Sequence, residues 1–307
     1  MQNRAPDPLM TWMLCGLAVL ITVANTTSSP TGSDLWSHIG HCTDSSAGDI
    51  WNGRYYYLVT SVFLHANFLQ GVGITHLAFN VYWLFRMGSV LESTIGTLYY
   101  FLFWVAAAVV SSCAELAVTG DTGIGLSGVV YAIFGLLWAG RGRYPEWGEL
   151  ASPANIQLFI GWGILCFVLT ALHLMNVGNW AHTGGLVFGY GVGLAFFVRR
   201  QRWIGVASVA VLVAMSIFSV TFMPWSPDWT FWKGNKAFDV ENYPRAVYWY
   251  NKSLKNGFDQ ETAWDNIAAA WHNKGINDSE KQDIKDATVD FDLEKQAETH
   301  TTQPPTL

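Results

Sequence analysis

Apolar runs dominate the first 225 residues of this 307-residue chain, and a polar stretch follows them. The runs fall at 9–24, 74–90, 98–118, 127–140, 156–174, 180–198 and 203–223. Long runs of this kind predict membrane-spanning helices, so the chain reads as an all-α polytopic membrane protein with seven spans. The first run follows a flank with Arg4 and competes as a secretory signal. The later spans favour an ordinary first helix. Residues 28–73 form a long loop rich in His, Asp, Trp and Tyr, and loops of that length are functional or disordered. Trp51, Arg54, Tyr55-Tyr56-Tyr57 and the semi-apolar residues 58–64 predict a segment lying in the membrane interface, where Trp and Tyr prefer to sit.

Composition and charge place these spans. The chain is 51% hydrophobic and 13% charged, with 16 Trp and a net charge of −6. No basic cluster suggests nucleic acid. Arg141 and Arg143 follow the fourth run, and Arg199, Arg200 and Arg202 follow the sixth. By the positive-inside rule both ends are cytoplasmic, and a loop carrying Arg86 and Glu92 fits the same side. The N-terminus is then cytoplasmic, the 28–73 loop faces outward, and the seventh span (201–225 with its flanks) leaves everything after it extracytoplasmic. The four cysteines, Cys15, Cys42, Cys113 and Cys166, have no metal or redox spacing. Cys42 stands in the long loop, and nothing in the spacing supports a disulfide between it and Cys113.

The tail holds nine basic and 14 acidic residues after position 225. Residues 226–275 contain Ala246-xxx-Tyr250-xx-Ser253, and a shift of about 34 residues, the tetratricopeptide period, brings Trp264, Ala268 and Trp271 to corresponding places. That resembles one and a half tetratricopeptide repeats in a small helical soluble domain, although Ala237 and Phe258 depart from the pattern. A generic helical hairpin is the alternative. Because fewer than three repeats seldom stand alone, a protein partner or self-association is expected there. Residues 276–307 are acidic, then Thr/Pro-rich, and are expected to be partly disordered.

The chemistry centres on Gly123-Ile124-Gly125-Leu126-Ser127-Gly128 and the run that follows. Ser127 lies 14 helical steps from Arg141, about 21 Å at roughly 1.5 Å per residue, short of a bilayer core about 30 Å thick. A helix starting below the membrane surface needs protein or a water cavity around its first turn, and a serine there is a candidate nucleophile. Small residues are also common helix-packing residues in membranes. The sixth run carries His182 in Ala181-His182-Thr183-Gly184-Gly185, with Gly189 and Gly193 following at spacings of four. His182 lies about 25 Å from Arg199 by the same rise, a depth matching Ser127. A lone histidine more often packs or relays protons, and the matching depth is what favours a nucleophile–base pair. His76 and Asn80 share a helix face and, with the backbone N–H of Ser127, offer three donors to an oxyanion; a polar helix–helix contact is the competing reading. Tyr131 lies one turn below Ser127, placed to stack on His182. Glu115 and Asp121 sit at helix-end or loop positions before the serine, so a dyad is expected and not a triad.

These pieces, namely Trp51/Arg54, His65-Ala66, His76-xxx-Asn80, Gly125-Leu126-Ser127-Gly128 with Tyr131, and Ala181-His182-xx-Gly185, occur together and in order. In that combination the chain resembles a rhomboid intramembrane serine protease of the bacterial type over roughly residues 9–198. The resemblance implies a six-helix core at 1–200 with an outward-opening wet cavity. Ser127 is then the nucleophile, His182 the general base, and His76, Asn80 and the Ser127 amide the oxyanion hole. Tyr131, Gly125, Gly128 and Gly185 support them. It implies a mobile fifth span, transmembrane protein substrates, a bacterial inner membrane, and neither metal nor cofactor. Asn52-Gly53 separate Trp51 from Arg54, which the family usually has adjacent. The seventh span occurs in some subfamilies only, and the tail lies outside the family core. A non-catalytic rhomboid-like adaptor is the rival, although its relatives lose the serine, the histidine or both. A transporter path is the second rival, and the spans offer almost no ion-coordinating residues for it.

Overall fold

The computed structural model describes residues 7–27, 47–65, 73–281 and 283–299. These are helical, with no strand among the described residues, and they divide into two compact units, Met1–Thr221 and Phe222–Leu307.

In the first unit every apolar run lies on a helix. They are α1 (Leu9–Thr27), α4 (Gly73–Trp83) with its continuation, α6 (Thr97–Thr119), α7 (Ser127–Gly140), α9 (Pro153–Ala171), α10 (Asn179–Phe197) and α11 (Arg202–Thr221). The long loop contributes α2 (Ala47–Trp51), α3 (Tyr57–Thr60) and a 3-10 turn, Ser61–Phe63, while α8 (Pro145–Leu150) links α7 to α9. Three helical stretches are long and apolar enough to cross a membrane by length and composition: Thr97–Thr119, Pro153–Ala171 and Arg199–Thr221. The chain is an integral membrane protein.

The packing explains the short α7. From Val129 to Leu137 each apolar side chain on it is buried, whichever way it faces, which is the pattern of a helix enclosed on all sides. Helix α10 lies directly along it. A Cβ on Gly185 would collide with the Gly128 carbonyl, and one on Gly189 with the Ala132 carbonyl. Glycines four apart therefore form the groove that lets two backbones touch. Helix α9 is the opposite case, with only Phe159 and Cys166 buried.

The second run extends further than its hydropathy suggests. Helix α4 passes through a π-helical turn, Leu84–Gly88, into α5 (Ser89–Ile95), so Arg86 and Glu92 lie on a helix and not in the expected loop. Glu92 is buried. Its carboxylate accepts bonds from the N–H of Met10 (3.1 Å) and of Thr11 (2.8 Å), and from the hydroxyls of Thr11 (2.8 Å) and Thr97 (2.9 Å). Four donors keep the charge solvated inside the protein, and two of them are the orphan amides at the start of α1.

Cys15, Cys113 and Cys166 are free and buried; Cys42 lies outside the described residues.

The second unit is four helices: α12 (Pro227–Asp239), α13 (Tyr243–Lys255), α14 (Gln260–Glu280) and α15 (Ile284–Glu298). Ser226, Asn242, Asp259 and Asp283 each accept an N–H at a helix start, the N-cap role short polar side chains suit. Ala246, Tyr250 and Ser253 are buried, as are Ala268 and Trp271. Gly234 receives the Tyr250 ring and Gly275 the Phe291 ring. Residues 284–298 form helix α15 within the stretch expected to be partly disordered. The Phe291 contact and the 2.8 Å bond of Lys274 to Asp290 tie α15 to α14, while the Lys274–Asp278 bond, also 2.8 Å, lies within α14. Residues 300–307 lie outside the described residues.

Candidate active site

The turn before α7 explains how a serine comes to stand at a helix start inside the protein. Gly120 ends α6 in the left-handed region, and Gly125 adopts φ 104°, which costs a side chain-bearing residue heavily. Space makes the same demand: a Cβ on Gly125 would lie 3.0 Å from Cε1 of His76. His65 holds the turn from the other side. Its Nε2 accepts the Leu126 N–H at 3.3 Å, while Nδ1 lies 3.1 Å from the Phe63 carbonyl. A carbonyl only accepts, so Nδ1 carries the proton and Nε2 is free to receive the amide.

Ser127 Oγ and His182 Nε2 are 2.7 Å apart. The Tyr131 ring stacks on the imidazole, centroids 4.7 Å apart and planes 20° from parallel. Its hydroxyl donates to the Phe159 carbonyl at 2.8 Å, so one tyrosine fixes the histidine ring and ties α7 to α9. His182 is buried, and its Nδ1 has no partner among the described residues. No described carboxylate bonds it. Gly128 leaves room for Ser111 of α6, whose Oγ would lie 2.7 Å from a Cβ there.

His76 and Asn80 stand on α4. The His76 ring lies edge-on to His65, centroids 5.2 Å apart, over the Gly125 backbone. Asn80 is fully buried, and neither atom of its amide has a partner among the described residues. A small cavity opens beside Ser127, bounded by Ser111, Gly123, Gly125, Gly178 and Ala181.

Two residues have roles that sequence reasoning did not assign. His65 figured only as part of a motif. Glu115, expected at a helix end without part in the site, lies within α6 and points at the start of α10. Its Oε2 accepts the N–H groups of Trp180 and Ala181, both at 2.9 Å, one and two positions before His182. Only its single placement in an apolar run signalled it. Trp51 and Arg54 do not act together. Trp51 is buried and donates from Nε1 to the Ser219 carbonyl of α11 at 3.0 Å, while Arg54 pairs at 2.8 Å with Asp49 on an exposed surface.

Residues 52–200 match the rhomboid domain family. This chain carries a rhomboid domain. The match spans α3 to α10 and therefore every residue of the site described above. It resembles the rhomboid protease GlpG of Serratia proteamaculans, 34% identical over 146 residues, 47% of this chain and 48% of the relative. The rhomboid protease GlpG of Yersinia pseudotuberculosis is 31% identical over 131 residues, 43% of this chain and 44% of the relative. The chain thus spans about half the length of the curated relatives it matches. The helices of the second unit lie beyond the matched rhomboid residues.

Proposed function

We propose that this rhomboid protein is an intramembrane serine endopeptidase working through Ser127 and His182. The observation that carries the reading is the 2.7 Å contact between Ser127 Oγ and His182 Nε2. In this mechanism Ser127 Oγ attacks a peptide carbonyl while His182 Nε2 takes the hydroxyl proton. The tetrahedral oxyanion is met by the Ser127 N–H, His76 and Asn80, and an Asn80 amide without a partner among the described residues is what a reserved donor looks like before substrate arrives. His182 then returns its proton to the leaving amine, the peptide bond breaks, and an ester remains on Ser127. Water, deprotonated by His182, hydrolyses it.

The substrates are transmembrane segments that unwind near the outer face, since a helical peptide bond hides its carbonyl. They enter beside α9, the least buried span. The N-terminus is cytoplasmic and the second unit extracytoplasmic, in a bacterial inner membrane.

A fluorophosphonate probe on detergent-purified protein tests the reading. Wild type is expected to label, and Ser127→Ala and His182→Ala are not. A Ser127→Ala variant that still labels, or still cleaves a transmembrane substrate, eliminates the mechanism. A wild type that never labels but retains transmembrane clients supports the adaptor instead.

A further inference from the structure

The second unit is polarised along its sequence. Residues 222–258, the α12/α13 hairpin and its lead-in, hold 11 aromatic residues, with five basic side chains against three acidic. Residues 259–307 hold three aromatic residues, with four basic side chains against 11 acidic. The aromatic, cationic half is also the half that leaves the membrane first. Helix α11 ends at Thr221 and α12 begins at Pro227. Six steps of chain reach at most about 20 Å, so α12 cannot start far from the bilayer edge.

The side chains on this hairpin cluster. Lys233 Nζ lies 5.0 Å from the Trp229 ring and 4.9 Å from the Trp232 ring, and Lys252 Nζ lies 5.1 Å from Trp249. Trp229 and Trp249 meet edge to face at 5.8 Å, joining both lysines into one patch. Phe222, Trp225 and Tyr248 are all at least half exposed. Indole rings with ammonium groups beside them suit the headgroup level of a bilayer, where the rings sit at the interface and each lysine is attracted to an anionic surface. A protein-binding repeat surface gives no reason for the aromatic and cationic half to be the one next to the membrane.

We infer that the α12/α13 hairpin docks on the outer membrane surface through Trp225, Trp232, Lys233, Tyr248, Trp249 and Lys252, binding anionic phospholipid headgroups. The acidic α14/α15 hairpin is then held off the same surface by its charge. This placement does not depend on whether the rhomboid domain is active.

The full chain in nanodiscs tests it, with Cys42 replaced by Ser and spin labels at Tyr248→Cys and Asp292→Cys. The expected result in phosphatidylglycerol discs is a label at 248 more accessible to dissolved oxygen than to an aqueous nickel complex, with the label at 292 showing the reverse. Lys233→Gln/Lys252→Gln should weaken docking about thirtyfold, and raised salt should weaken it too. Unchanged circular dichroism shows that the variant is folded. Position 248 as aqueous as position 292 overturns the inference. So does equal docking on purely zwitterionic discs, or immobilisation of the 248 label that depends only on protein concentration, which would mark a second copy as the occupant.

Discussion

A carboxylate buried in a membrane helix is tolerated only when it is bonded, and the described residues of the first unit include two, each at the start of another helix. Glu92 serves α1 and Glu115 serves α10. Glu115→Ala would leave two amides next to His182 without their acceptor, at a cost of about 2–3 kcal/mol. The expected outcome is a lower melting temperature in detergent and slower fluorophosphonate labelling. Glu115→Gln keeps an acceptor oxygen and should recover most of both. Equal behaviour of the alanine variant and wild type would deny Glu115 any positioning role. His65 offers a second residue-scale test. His65→Ala frees the Leu126 amide and loosens the turn that presents Ser127. Labelling is expected to slow more than stability falls, because one neutral hydrogen bond is worth only about 1 kcal/mol.

Among the elements, α7 and α10 decide whether a site exists. Their contact is backbone on backbone, so any side chain at Gly189 falls on the Ala132 carbonyl. Gly189→Ala should destabilise by at least about 1–3 kcal/mol, the usual cost of overpacking. It should also separate Ser127 from His182, read as loss of labelling in protein that still purifies. A well-folded and fully reactive Gly189→Ala protein would mean the helices slide apart without harm. Helix α11 joins the same assembly near its C-terminal end, where Trp51 donates to Ser219. Trp51→Phe keeps the ring and removes the donor, for an expected loss of about 1 kcal/mol seen in thermal unfolding.

For the whole molecule, two units of different chemistry are stabilised by different means. The first is closed by glycine contacts and apolar packing. The second also relies on Lys274, which bridges Asp278 and Asp290 across the α14/α15 hairpin. Burial pulls the Lys274 ammonium down, but its bonds to both aspartates outweigh that and hold it above its ordinary value of 10.5. A raised lysine contributes fully below that ordinary value and loses its contribution as pH climbs through the folded value. Lys274→Met should therefore lower the melting temperature near pH 7 and blunt the alkaline loss expected of wild type above pH 10.5. Identical alkaline profiles would remove this ion pair from the account. The hydrophobic pattern along the chain determined where the apolar helices of the first unit lie, because burial in lipid or protein is written residue by residue in side-chain chemistry. Glycine spacing and the depth of Ser127 and His182 likewise announced that α7 and α10 meet, since both depend only on helical rise. Tertiary structure alone decided what Glu92, Glu115, His65 and Trp51 touch. Each bonds a backbone group at least 60 positions away in sequence, and no local periodicity encodes a partner of that kind. It also decided that residues 284–298 form a helix, because their acidic composition reads as solvated chain until Gly275 and Lys274 are brought against them.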